Sequence, residues 1–267
     1  MDKIREMGTR RFGRVNWLGM ATLAERETRR FMAVWSQTVM APLITAVLFL
    51  AVFGLALGSR RGEVMGVPFL SFIAPGILMM TVVQNAFANT SSSILVAKVQ
   101  GNIVDTLMPP LSAAELLVGY IAGALVRGLL VSVPVLGLMI VYLGTGLAHP
   151  LWLVLMLLLA SLLMGCLGII GAIYAEKFDQ LALVTNFVIT PLTFLSGTFY
   201  SIEVLPPAMR LLSHINPIFY LIDGTRFAIL GVSDSAPWIG VLVCAATGAG
   251  LAALCLHWLR TGHRLKP

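Results

Sequence analysis

Six apolar stretches, at about 38–58, 69–92, 116–143, 150–174, 181–200 and 237–259, decide what this chain can become. A helix that crosses a bilayer needs roughly 20 mostly apolar residues, and each stretch supplies that length. In hydrocarbon the backbone must satisfy its own hydrogen bonds, so such stretches become helices. The composition leaves no soluble alternative. Of 267 residues 58% are hydrophobic and only 11% charged, with a mean hydropathy of +0.91. A soluble domain carries about 25% charged residues and could not hide this much apolar side chain. The expected fold is an all-α integral membrane protein with six transmembrane helices. A basic N-terminus precedes the first span, which starts too far in for a secretory signal peptide.

Lys and Arg set the orientation. Thirteen of them lie at the two ends and in the 93–115 and 175–180 connections, against four (Arg60, Arg61, Arg210, Arg226) on the other side. Both termini are therefore expected in the cytoplasm. The expected division is a cytoplasmic N-terminal region at 1–37, a transmembrane domain at 38–260 and a cytoplasmic tail at 261–267.

Two polar pieces on the cytoplasmic side have helical periodicity. In "WLGMATLAERETRRFMAVW" (17–35), Trp17, Ala21, Ala24, Thr28, Phe31 and Trp35 share one face at about 100° per residue. Arg26, Arg29 and Arg30 share the other, so an amphipathic helix in the membrane interface is expected. In "KVQGNIVDTLMPP" (98–110), Ile103 and Leu107 fall on one face with Val104 beside them. Lys98, Asn102 and Asp105 fall on the other, and Pro109-Pro110 stops the helix. Its pattern serves equally a plain interfacial connector or a docking surface for a cytoplasmic partner.

The chain lacks the motifs of an enzyme. None of its four lysines follows a glycine, so it has no P-loop. It has no metal-spaced His/Cys cluster, and Cys166, Cys244 and Cys255 lie inside apolar runs as small buried residues. Arg127 is the one clear charge within a span, a candidate for function, for a structural bond to backbone carbonyls or for a snorkelling side chain. No acidic residue lies within the spans as drawn, unlike an ion-coupled carrier, so an energy source outside the chain fits better. Gln84, Asn85 and Asn89, with Asn186 and Thr190, need internal partners or a wet cavity, and mark a pathway or subunit seam between the second and fifth spans. Asp223 and Arg226 stand i,i+3 and can pair. "GYIAG" (119–123) is a weak helix-packing signal, and no aromatic track stands out in the spans.

With these pieces laid out, the chain resembles an ABC-2 type transporter permease over roughly 17–260. The likeness rests on "FIAPGILMM" (72–80), "NIVDTLMPPLSAAELLVGYI" (102–121) and "TPLTFLSGTFYSIEVLPPAMRLLSHINPIFYLIDGTRFAILG" (190–231). It is similar to the compact bacterial permeases of drug and nodulation-factor exporters. The resemblance implies re-entrant short helices in 201–236 and a transport subunit of the bacterial inner membrane that is not itself an enzyme. It implies a homodimer among membrane lipids, with a separate P-loop ATPase carrying ATP and Mg. It implies that Lys98, Asn102 and Asp105, with Glu176, Lys177 and Asp179, contact that ATPase, and that the helix carrying Arg26, Arg29 and Arg30 leans on it. The implied cargo is a hydrophobic or amphipathic drug, lipid or glycan. No cofactor in this chain and no nucleic-acid partner are expected. The rival readings are a stand-alone ion-coupled carrier or channel, and a non-transporting scaffold subunit.

Overall fold

A computed structural model of the chain describes residues 15–57 and 62–264. Lys3, Arg5, Arg10, Arg11, Arg14, Arg60, Arg61 and Lys266, which enter the charge count, lie outside the described residues. Helix α1 (Trp17–Met32) starts at Asn16, whose side chain accepts a hydrogen bond from the Gly19 amide. A widened π-helical turn at Ser36–Met40 then leads into α2 (Ala41–Leu57). Strands β1 (Glu63–Val64) and β2 (Val67–Pro68) pair antiparallel and feed α3 (Phe69–Val99). There follow α4 (Ile103–Leu107), α5 (Ala113–Leu143) and α6 (Pro150–Tyr174). The next crossing is composite: α7 (Phe178–Val184), a second π-helical turn at Thr185–Ile189, and α8 (Thr190–Leu195). Short helices α9 (Pro207–Ile215) and α10 (Pro217–Leu230) precede α11 (Pro237–Thr261).

Among the described residues six helical segments are long and apolar enough to cross a membrane: Ser36–Ala56, Phe69–Val99, Ala113–Leu143, Pro150–Tyr174, Phe178–Leu195 and Pro237–Thr261. Each answers to an expected span to within a few residues, and three of the shifted ends have a visible cause. The second helix runs on to Val99 because its last turns pack on neighbouring helices. The third starts earlier because Ser112 and Glu115 form a reciprocal cap, each side chain bonding the other's backbone amide. The fifth stops at Leu195, just before Gly197 takes a left-handed φ of 75°. Each π-helical turn ends shortly before a proline, Pro42 or Pro191. A proline ring crowds the carbonyl four residues back and offers no donor, and a wider turn relieves both.

Helix α3 is the hub, packed against α5, α6 and α10. Its most apolar window is 83% buried, against 6% for the first crossing and 17% for the α7–α8 crossing. The polar side chains of α3 are therefore inside the protein, while α2 and α7–α8 present open faces. Thr90 ties α3 to α6 by donating to the Gly165 carbonyl at 2.8 Å. The three cysteines are buried and unbridged.

Candidate functional site

The polar stretch after the second span does not form the single helix its periodicity suggests. Gly101, at φ 72°, breaks it. Val96 and Lys98 belong to the last turn of α3, and α4 is a separate five-residue helix. This corrects the placement of Lys98 on one polar face with Asn102 and Asp105. Its ammonium turns back and donates to the carbonyls of Ala172, Ile173 and Ala175, at 3.0, 2.8 and 2.8 Å. Those are orphan acceptors at the end of α6, where the helix dipole also favours a cation. Asn102 and Asp105 are exposed, Ile103 is buried and Leu107 half-buried; Val104, expected beside the apolar face, points outward. Glu176, Lys177 and Asp179 are all exposed, and Lys98 ties their connection to the last turn of α3. Lys98→Met should lower the melting temperature in detergent by roughly 2–4 °C, the shift expected for about 1 kcal/mol in a chain of this size. An unchanged melting curve would remove this clamp.

Helix α1 is seated differently from its expected faces. Its buried side chains are Met20, Leu23, Glu27 and Phe31, while Trp17 and Trp35 are exposed. The seat is the G-x-x-x-G of α5. A Cβ on Gly119 would meet Leu23 at 2.6 Å, and one on Gly123 would meet the Glu27 Cβ at 2.6 Å. Glu27 has no exposed surface and sits in a polar knot. Its Oε1 accepts from Ser93 Oγ at 2.6 Å and Arg26 at 3.2 Å, and its Oε2 accepts from Arg30 at 3.1 Å. Arg30 also donates to Ser92 and to the backbone and side chain of Asn89. Of the three arginines expected on one basic face, Arg26 and Arg29 are exposed, the latter paired with Glu25 at 2.6 Å, and Arg30 is drawn in to half-buried.

Two more bonds join α1 to α4 and α5. Arg26 donates to Thr106 Oγ1 of α4 at 2.9 Å, and the Asn16 amide donates to Glu115 Oε1 at 2.7 Å. Between α1 and α4 lies a cleft of about 570 Å³ lined by Arg26, Arg29, Arg30, Asn102 and Asp105 among others. Sequence reasoning missed Glu27, Glu115 and Thr106. The signal for Glu27 was present: it is an acid on the face between the aromatic and basic ones, opposite a glycine pair.

The pathway candidates do not assemble in one place. Asn85 accepts from Arg127 Nε at 3.1 Å and Asn89 accepts from Arg30, so both face α5 and α1 rather than the fifth span. Gln84 is half-buried on α3, Asn186 is exposed, and Thr190 is half-buried at the start of α8. The structure also brings together an aromatic cluster from separate segments. Phe49 and Phe53 of α2, Phe194 of α8 and Phe199 meet, with Phe53–Phe199 centroids 4.8 Å apart and Phe194–Phe199 5.4 Å apart. It lies toward the end of the bundle away from α4.

At that same end Asp223 and Arg226 pair, but as members of a larger buried group. Arg226 is fully buried, 3.5 Å from Asp223 Oδ1 and 3.0 Å from Asp234 Oδ2. It donates to the Gly197 carbonyl at 2.6 Å and lies 4.0 Å from the centre of the Phe72 ring. Asp223 accepts from the amides of Asp234 and Ser235 and from Ser235 Oγ. Burial pushes the Asp223 carboxyl above the usual carboxylate range and the Arg226 guanidinium below its own, and their mutual attraction opposes both shifts. The group ties α10, the loop after it, the 197–201 turn and α3 into one body.

Residues 19–230 match the family described as ABC-2 type transporter. The chain is 38% identical over 253 residues to the inner membrane transport permease YadH of Escherichia coli (strain K12), covering 94% of this chain and 98% of that protein. It is 27% identical over 243 residues to nodulation protein J of Rhizobium leguminosarum bv. viciae, covering 86% and 89%.

Proposed function

Since the chain belongs to the ABC-2 type transporter family, it is the multi-pass inner-membrane permease of an exporter driven by a separate ATP-binding subunit, and we propose that α4 and the 176–179 connection are where that subunit docks. One observation carries the docking reading: α4 offers Asn102 and Asp105 to the outside while its inner side is bonded to α1, which is itself bonded to α5. A push on α4 then reaches α1 through Arg26–Thr106, and α5 through the Pro-Pro connection. Gly101, in a left-handed backbone that glycine adopts freely, lets α4 swing against the end of α3. Glu176, Lys177 and Asp179 add a second contact, and α1 flanks the first.

ATP and Mg bind on the partner. Closure of two such partners rocks the spans between inward- and outward-facing states, and nucleotide or cargo must bind those states unequally to drive the cycle. Thirteen basic residues against four support a cytoplasmic side for α4 and both termini. A second copy of the permease covers the open faces of α2 and α7–α8, giving exposed Asn186 a partner. The short helices α9 and α10 then re-enter from the outer side. The phenylalanine cluster on that seam suits an amphipathic drug, lipid or glycan.

The test is the double variant Asn102→Leu, Asp105→Leu, reconstituted with the ATP-binding subunit in liposomes. Insertion should be normal, while ATP-dependent transport falls about tenfold or more, as when two central contacts of an interface are lost. Normal transport would reject the docking site.

A further inference from the structure

We propose that Arg127, with Arg30 one turn away, binds the phosphate of an anionic phospholipid in the crevice between α5 and the α1–α2 junction. Charge balance is the reason. Two guanidiniums, Arg26 and Arg30, share one carboxylate, Glu27, and Arg127 adds a third positive charge beside Arg30. That carboxylate is already bonded by Ser93, Arg26 and Arg30. Among the described residues no carboxylate lies within salt-bridge distance of Arg127.

Its one hydrogen bond runs from Nε to Asn85 Oδ1 at 3.1 Å, which fixes the plane of the guanidinium. The two terminal nitrogens bond nothing among the described residues. They are absent from the sealed polar atoms that lack a partner, so they open outward. The Phe31 ring, 5.9 Å from Cζ, flanks the group. Arg30 is held by Asn89, one turn along α3 from Asn85, so the two guanidiniums stand about a turn apart.

A guanidinium in a membrane span without a counter-ion is costly, by several kcal/mol at the bilayer centre. A planar fork with two free donors matches a phosphate bidentately. Arg127 stands about one helical turn along α5 from Gly123, which seats α1, the helix expected in the membrane interface. The abundant anions of that interface are lipid phosphates. The choice of the inner leaflet rests on the orientation proposed above; the binding itself does not. A lipid so held bridges α5 to the start of the first span, the unit that receives motion from α4.

The experiment uses the full-length permease, delipidated in detergent and titrated with fluorescent phosphatidylglycerol or phosphatidylcholine. Phosphatidylglycerol should bind tighter, and Arg127→Gln should weaken it by about tenfold, the loss of a charge-assisted bidentate contact. Arg127→Lys keeps the charge without the fork, guards against misfolding of the first variant, and should weaken binding by a smaller factor. Equal affinity for the two lipids, or wild-type affinity in Arg127→Gln and Arg127→Lys, would overturn the site. Displacement of phosphatidylglycerol by millimolar inorganic phosphate would assign the arginines to a soluble phosphate and overturn the lipid. An unaltered docking phenotype in the Asn102/Asp105 variant leaves this outcome unaffected, so the two proposals fail separately.

Discussion

Arg226→Met should cost about 3–5 kcal/mol and leave little folded permease in the membrane. Arg226 is completely enclosed, and Asp223 and Asp234 both rely on it. Without it two buried carboxylates face each other, the Gly197 carbonyl loses its donor and the Phe72 ring loses its cation. Stranded charge, rather than lost packing, causes the damage, because methionine replaces much of the arginine stem. The triple change Arg226→Met, Asp223→Asn, Asp234→Asn should therefore recover most of the yield and melting temperature, measured in detergent. If the triple variant is as unstable as the single one, geometry rather than charge holds the outer body together. Asp223→Asn alone keeps one acceptor oxygen where two now serve three donors. It should insert yet export less, and unchanged export would rule out a role for this group in supporting the outer end of the pathway.

The six crossings were legible because lipid permits so few backbone solutions that a long apolar run can only be a helix. What the sequence hid was the partner of each polar group. The i,i+3 pair Asp223–Arg226 lies on one helix face and could be read directly. Asp234, eight residues past Arg226 in a loop, obeys no helical period and became visible only when the loop folded back. Phe49 comes from a segment far along the chain from Phe194 and Phe199, so no local window joins it to them.

The polar stretch at 98–110 misled in a different way. Its apolar spacing continues across Gly101, so periodicity spoke for one helix where a left-handed glycine makes two. Helix α1 misled through its tryptophans. The expected aromatic face groups Phe31 with Trp17 and Trp35, yet only Phe31 is buried in the protein, while the two exposed tryptophans suit the membrane boundary. The face that packs is the one between, where the chain had placed an acid. That acid found its site because α5 offers a glycine opposite it.

Gly123→Val tests that seat most sharply. A single added Cβ would stand 2.6 Å from the Glu27 Cβ and 3.2 Å from Asn89 Nδ2, and valine adds two further carbons. The Glu27 Cβ is fixed to the α1 backbone, so it cannot swing aside; the whole helix must lift. Lifting it pulls Glu27 from Ser93 and Arg30 from Asn89, and strains the Arg26–Thr106 bond that couples α1 to α4. Overpacking costs about 1–3 kcal/mol, and separating a buried ion pair adds to it. Transport by Gly123→Val should therefore be abolished, with a melting temperature several degrees lower. Gly119→Ala offers the milder contrast: its added carbon meets Leu23 Cδ2 at 2.6 Å, an end that can rotate, and Leu23 Cγ and Cβ at 2.9 and 3.1 Å, which ask α1 to give by only a few tenths of an ångström. That variant should keep most of its transport. If the two substitutions behave alike and near wild type, α1 does not rest on α5 in the working transporter, and motion from α4 must reach the spans through α3 instead.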